Sequence, residues 1–427
     1  MTTGNTTVRY HSLDALRAFV LLLGVVFHAA ESFCPDRRSW AIIDRSAHVF
    51  FDLFQHVCHS FRMEVFFLIA GFFAHLMLRR VGTAGFLRNR AQRIGVPLVA
   101  GWFVFYPLMM LIWMWGKWTS GSLGDLGISA GKQQWNPFQL TAGIFLQGIF
   151  LREAFNLVHL WFLYYLLLTY LLLLGIRWAW QRIDPAGGLM SACDRGFARV
   201  MRSSWKIPFF ALLSLPLTSL MGGGVDTPNK SLLPHGPVLL LYGIFFFTGW
   251  LLHRQPEMLE HLARSWKSSL AAGLLFILPI CFPRAILHTL DAGGSLLPWA
   301  RTLHNLTYPL MMWSLALGIT GLFLVVRRRE DRFWRYVADS SYWLYLVHPV
   351  VVVPLQILVA DFNVNALLKL LFINAVAFPV VFASYHFLVR STFIGMILNG
   401  RRYPRDIRRE NGVISSPATQ TNLQTAG

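Results

Sequence analysis

The sequence predicts an all-α, polytopic membrane bundle of about ten transmembrane helices with both termini in the cytoplasm. Three observations predict it. Apolar runs of about twenty residues, the length that spans a bilayer as a helix, recur from one end of the chain to the other. The composition is 55% hydrophobic and only 14% charged, where a soluble chain of this length carries nearer a quarter charged residues. The basic residues fall in alternate loops, which is the signature of topology rather than of a nucleic-acid surface, so the net charge of +18 does not imply a nucleic-acid partner.

Apolar runs bounded by charge or by Gly/Pro clusters place spans at approximately 12–33, 50–78, 94–115, 157–178, 207–221, 236–253, 268–283, 304–326, 338–359 and 366–390. The fifth and seventh are short. Residues 138–151 are apolar but too short to cross alone, and are expected to be re-entrant or interfacial. Loops after the even-numbered spans hold clusters such as Arg79, Arg80, Arg88, Arg90 and Arg93, or Arg327, Arg328, Arg329, Arg332 and Arg335. They carry three times as many Lys and Arg residues as the opposite loops, which puts both termini inside. Residues 1–402 therefore form one transmembrane domain. Residues 403–427 form a polar cytoplasmic tail, and its end, "NGVISSPATQTNLQTAG", lacks any periodicity and is expected to be disordered. No cleavable signal peptide stands out, because the first apolar run spans fully. Cys34, Cys58, Cys193 and Cys281 lack paired spacing and imply neither a disulfide framework nor a zinc knuckle.

Ionisable residues inside spans are expensive, and each marks a candidate site. In the first span Arg17 and His28 are eleven residues apart, which returns them to one helix face about 16 Å apart along the axis. Asp14 is one turn before Arg17 and can pair with it; Glu31 is one turn beyond His28 and can orient its imidazole. An Arg that holds phosphate at one end and a His that removes a hydroxyl proton at the other suit a transferase. A juxtamembrane Arg with a packed, hydrogen-bonded His gives the same pattern.

The second span, "FDLFQHVCHSFRMEVFFLIAGFFAHL", contains His56 and His59 three residues apart. Without a third convergent ligand they do not define a metal site, and no bound metal is expected. Arg62 must meet an anion, a carboxylate or backbone carbonyls, and Glu64, two residues on, faces nearly the other way. Gly71 is read as a helix-packing glycine. Arg90 and Arg93 lie one turn apart ahead of span three, where they can bind a nucleotide phosphate or lipid headgroups. His159 and Trp161 open span four, and Trp161 is equally an interfacial anchor. His348 precedes Pro349 in span nine, where it either lines a cavity or makes a packed hydrogen bond. A P-loop and a nucleophile elbow are both missing from the sequence, so a covalent serine mechanism has no support.

Five stretches, "LDALRAFVLLLGVVFH", "HSFRMEVFFLIAGFF", "RNRAQRIGVPL", "HLWFL" and "SYWLYLVHP", together and in this order resemble the membrane acyltransferase-3 family, most closely its glucan biosynthesis protein C branch. The resemblance reaches from the first span to the ninth. It implies a ten-helix inner-membrane enzyme that transfers acyl groups to extracytoplasmic carbohydrate, and for the branch O-succinylation of periplasmic glucans. The donor is then acyl-CoA, succinyl-CoA in this branch, and no tightly bound cofactor is expected. The resemblance maps the family's Arg/His pair onto Arg17 and His28, its CoA-associated R-x-x-R element onto Arg90 and Arg93, and its H-L-W element onto His159 and Trp161. Its late Tyr/His segment maps onto Tyr345 and His348. Ala70 departs from the serine frequent at that position; Glu64 stands where the family pattern has an uncharged residue, and Glu31 is not a family hallmark.

These readings combine into one expectation. Arg90, Arg93 and Arg17 bind the donor's phosphates; His28, with Arg17 and Glu31, carries catalysis. Arg62, Glu64, His59, His159, Trp161, Tyr345 and His348 line the substrate pocket. The rivals are O-acetylation of another surface polysaccharide or lipid-linked sugar, and a transporter, which would show paired repeats with broken helices. The Arg17/His28 pattern has no second copy in the sequence.

Overall fold

A computed structural model of the 427-residue chain describes residues 10–404 apart from 36, 38, 129–133, 150–154, 222–223, 290–297 and 328–330; the side chains of 281–289 and 298 are likewise outside the description. Most of the predicted polar tail, from 405 onward, also lies outside the described residues. The helices in order are α1 (His11–Ala30), α2 (Val49–His59), α3 (Arg62–Arg90), α4 (Val96–Thr119), α5 (Pro137–Leu146), α6 (Trp161–Ile183), α7 (Gly188–Arg202), α8 (Lys206–Leu220), α9 (Gly236–Arg254), α10 (Glu257–Thr289), α11 (Pro298–Val326), α12 (Arg332–Val359), α13 (Ala366–Ser384) and α14 (Phe393–Asn399). Among the described residues there is no strand.

Seven helical stretches of the described residues are long and apolar enough to cross a membrane. One of them, Val49–Thr119, takes in two of the expected spans, 50–78 and 94–115. The expected fifth span is the 15-residue α8, and the expected seventh lies within α10. α5, the stretch expected to be re-entrant or interfacial, has 10 residues, too few to cross as a helix. Large apolar side chains such as Phe103, Leu146, Leu212 and Leu278 are more than 60% exposed on these helices. A surface of that kind is stable against lipid and not against water, and the chain is a multi-pass membrane protein.

Two departures from the expected pattern position the site. The apolar run 50–78 is not one helix. It breaks at Ser60 and Phe61, so Arg62 and Glu64 occupy the first turn of α3, where the unpaired amides of a helix start favour a carboxylate. The basic stretch after residue 78 is helical rather than a loop. It turns at Gly82, whose φ of 68° only glycine adopts freely, then passes through a π-helical turn at Ala91–Gly95 into α4.

Lipid tails give no hydrophobic drive for helix association, so packing depends on close backbone approach. α3 and α9 cross where Gly71 meets the Phe246 carbonyl and Gly249 meets that of Leu68; a Cβ on either glycine would lie 1.8 Å from the opposing oxygen. The packing role read for Gly71 is the one it has. Gly273, Gly318 and Gly321 serve the α10–α11 pair in the same way. α1 lies among these layers and packs chiefly on α12, with α11, α3 and α13 around it.

Candidate active site

The last turn of α1 is fixed by glutamines from two other helices. Gln55 of α2 donates to the Phe27 carbonyl, and Gln356 of α12 donates to the carbonyls of His28 and Ala29 at 2.8 and 3.0 Å. These are carbonyls that the end of a helix leaves without intrahelical partners. The Gln356 side-chain oxygen accepts from Trp40 Nε1 at 3.0 Å, and Trp40 lies parallel to the His28 ring, centroids 6.1 Å apart. Glu31 Oε1 is 4.0 Å from His28 Nδ1, and its other oxygen is 3.6 Å from Arg37. Glu31 therefore stands beside one imidazole nitrogen, which leaves Nε2 for a substrate.

Around His28 the fold assembles two more imidazoles. The His348 ring is 5.1 Å from that of His28, and the His159 ring is 6.0 Å from that of His348. Each is held by a backbone carbonyl of α12: His348 Nδ1 by Leu344 at 2.9 Å, and His159 Nε2 by Leu346 at 3.0 Å. A carbonyl can only accept, so these nitrogens carry the protons. A neutral ring then leaves a lone pair on His348 Nε2 and on His159 Nδ1, both buried and without a partner among the described residues. The Tyr345 hydroxyl donates to the His159 carbonyl. Val158, next to His159, has φ 47°, a conformation that a β-branched residue rarely adopts and that often accompanies functional sites.

Below this group lie Arg62, 7% exposed, and Glu64, fully buried. The Arg62 guanidinium packs on the face of Phe27, 4.0 Å from its centroid. Trp161, read as either a site residue or an interfacial anchor, is buried and packs on Tyr242 and Tyr165, with ring centroids 6.2 and 6.0 Å away. It shapes the wall through Tyr242, whose hydroxyl has no hydrogen-bond partner among the described residues. His59 approaches Thr227 Oγ1 at 3.3 Å and the Phe27 ring at 6.0 Å, and so sits at the edge of the group. Its neighbour His56 packs instead on the rings of His304 and Tyr308. Among the described residues, no three His, Cys, Asp or Glu side chains converge as a metal site would require.

The other end of α1 gathers the second predicted set. Arg17 donates to the Ala338 carbonyl at 3.3 Å and lies 3.5 Å from Asp14, as the i, i+3 spacing foretold. Arg93 donates through Nε and Nη2 to the Leu398 carbonyl at 3.2 and 2.8 Å, and Gly400, with φ 75°, lets the chain pass close to its guanidinium. Arg90 donates to Tyr170 and is within electrostatic range of Arg93, as is Arg17. Tyr342 and Tyr345, one turn apart on α12 with rings 6.4 Å from each other, run from this basic group to His348, whose ring is 6.5 Å from that of Tyr345. One face of α12 thus connects the two ends.

Sequence reasoning passed over Gln356, Gln55, Trp40, Tyr242 and Tyr342. Gln356 had a signal, an amide inside "VVVPLQILVA". Tyr342 had one too, a turn before Tyr345. Trp40, in a connection without periodicity, had none.

With this geometry in hand, the comparisons are specific. An acyltransferase domain model of the acyltransferase-3 family matches residues 10–386. The chain belongs to that family. Among curated proteins it is similar to glucans biosynthesis protein C of Escherichia coli strains K12, O1:K1 and O157:H7, 31% identical over 122 residues. That alignment covers 27% of this chain and 31% of the relative, so less than a third of the relatives' length is matched. No solved structure matches the chain.

Proposed function

We propose that this protein is an O-acyltransferase of the bacterial inner membrane that moves a succinyl group from succinyl-CoA, bound from the cytoplasm, to hydroxyls of a periplasmic glucan. The observation that carries this reading is the two-ended arrangement along α1 and α12. One end holds three guanidiniums suited to the phosphates of a nucleotide thioester, and the other holds three imidazoles beside buried carboxylates, with a tyrosine face between them. The family assignment supports the reaction class. The similarity to glucan biosynthesis proteins supports the acceptor and, through that branch, the acyl group.

In this reading the donor's flexible arm carries the thioester to His28. His28 Nε2 takes the proton of the sugar hydroxyl as its oxygen attacks the thioester carbonyl. The C–S bond breaks, the sulfur leaves as thiolate, and the imidazolium returns the proton to it, giving an ester and free CoA thiol. Glu31 stands beside the ring, and the Gln356 clamp fixes the backbone that carries it. The apolar surroundings exclude water that would hydrolyse the thioester.

The test is acyl transfer by purified, reconstituted protein, with labelled succinyl-CoA and acetyl-CoA as donors and periplasmic glucan as acceptor, comparing wild type with His28→Ala. Succinyl transfer that drops by roughly 10²–10⁴-fold in a folded variant is the expected result. Equal activity in the variant would reduce His28 to a packing residue. Acetyl transfer alone would keep the reaction class and remove the succinyl assignment.

A further inference from the structure

Arg62 is a buried cation with no ion-pair partner among the described residues. Its side chain is 7% exposed and, among the described residues, has no hydrogen-bond or ion-pair partner; its contacts are the Phe27 ring and the backbone face of Gly24. Two carboxylates, Glu31 and Glu64, lie within electrostatic range of it, and among the described residues neither pairs with it at ion-pair distance. Glu31 stands between Arg37 and His28, and Glu64 lies in the first turn of α3 beside the amides of that turn. Cys58 and Tyr242, also within range, are neutral groups. Leaving a guanidinium unpaired at this depth is costly, and such residues persist where a ligand completes them.

Its position relative to His28 suggests which ligand. A Cβ built on Gly24 would lie 3.0 Å from Arg62 Nη1, so the guanidinium occupies the space that glycine leaves open. Gly24 is four residues before His28 on α1, a rise of about 6 Å. In a four-carbon diacid the two carboxyl carbons are three C–C bonds apart, about 4 Å at about 1.5 Å per bond with tetrahedral angles. A charge-assisted hydrogen bond adds about 2.8 Å. An acyl carbonyl at His28 therefore brings the far carboxylate of such a chain to Arg62, whereas a two-carbon acyl group stops short of it.

We infer that Arg62 binds the distal carboxylate of a dicarboxylic acyl group held at His28, and thereby selects that group over neutral acyl chains. The inference rests on the reading that transfer takes place at His28. Arg62 makes and breaks no bond; it is a specificity-determining residue, and its carboxylate partner travels with the acyl group.

The experiment compares kcat/KM for succinyl-CoA, for butyryl-CoA of equal chain length, and for the succinyl half-amide thioester, which keeps the shape without the charge. Donors are tested on reconstituted wild type, Arg62→Gln and Arg62→Lys. Wild type is expected to prefer the succinyl donor to both neutral ones by roughly 10–100-fold, the range of a hydrogen bond to a charged group. Arg62→Gln is expected to lose that ratio, with Arg62→Lys between the two. A wild type that treats succinyl and half-amide donors alike overturns the inference without recourse to any variant. So does an Arg62→Gln that slows all donors by one factor. Absence of transfer from every donor by wild type overturns the acyltransferase reading itself, and the inference with it, so the two failures are told apart.

Discussion

The imidazoles of His28 on α1 and His348 on α12 lie 5.1 Å apart; the Leu344 carbonyl of α12 fixes the His348 ring, and Gln356 of α12 fixes the backbone carbonyl of His28. Two elements far apart in the chain thus hold a pair of imidazoles between them, and His348 Nε2 is without a partner among the described residues. Asparagine at 348 can keep the donor to the Leu344 carbonyl while removing that nitrogen. His348→Asn is expected to fold, bind the donor with near wild-type KM, and lose roughly 10²-fold in kcat. Wild-type kcat in this variant would assign His348 to packing alone.

Arg93 grips the Leu398 carbonyl and still presents guanidinium donors beside Arg90 and Arg17. If that group holds donor phosphates, Arg93→Gln should raise the KM for acyl-CoA about tenfold and leave kcat near wild type, because a remote phosphate contact contributes equally to ground and transition states. Steady-state kinetics at fixed acceptor concentration read this directly. A fall in kcat at unchanged KM would place Arg93 elsewhere in the cycle.

The α3–α9 crossing has no room for a methyl group. Gly71→Ala forces the new carbon onto the Phe246 carbonyl, so the helices must separate, and a loss of about 1–3 kcal/mol is expected. Gly175, on α6, has nothing within 4 Å of a built Cβ, and Gly175→Ala should be neutral or stabilising by up to about 1 kcal/mol. Thermal unfolding of both variants in one detergent distinguishes close packing from a general intolerance of alanine.

Lys369 and Asp44 form a pair that is almost wholly buried, with Nζ 2.8 Å from Oδ1, and Nζ also donates to the Ala360 carbonyl. The pair ties the connection after α1 to α12 and α13. Lys369→Met strands the carboxylate and is expected to cost about 3–5 kcal/mol, while Lys369→Met with Asp44→Asn should recover most of it. Equal loss in the single and double variants would mean that the packing of the lysine stem, rather than its charge, is what matters.

The sequence by itself determined the class of molecule and the ionisable residues of its first helix. Apolar runs of spanning length need no tertiary information, because the bilayer acts on each segment separately. The Arg17–Asp14 pair and the shared face of Arg17 and His28 were legible for the same reason: helical periodicity fixes contacts within one helix. The family's motifs pointed to His159, Tyr345 and His348, and the fold brings His348 beside His28, with His159 and Tyr345 against His348. Only the tertiary structure decided that the second apolar run breaks at Phe61, which turns Arg62 from a residue within a span into the opening of a helix. It alone decided that Gln356 and Trp40 frame His28, that Trp161 is core rather than anchor, and that among the described residues no carboxylate forms an ion pair with Arg62. Those facts depend on which helices lie side by side. In a lipid environment that choice is made by small residues such as Gly71 and Gly249 and by buried polar contacts, neither of which leaves a periodic trace in the sequence.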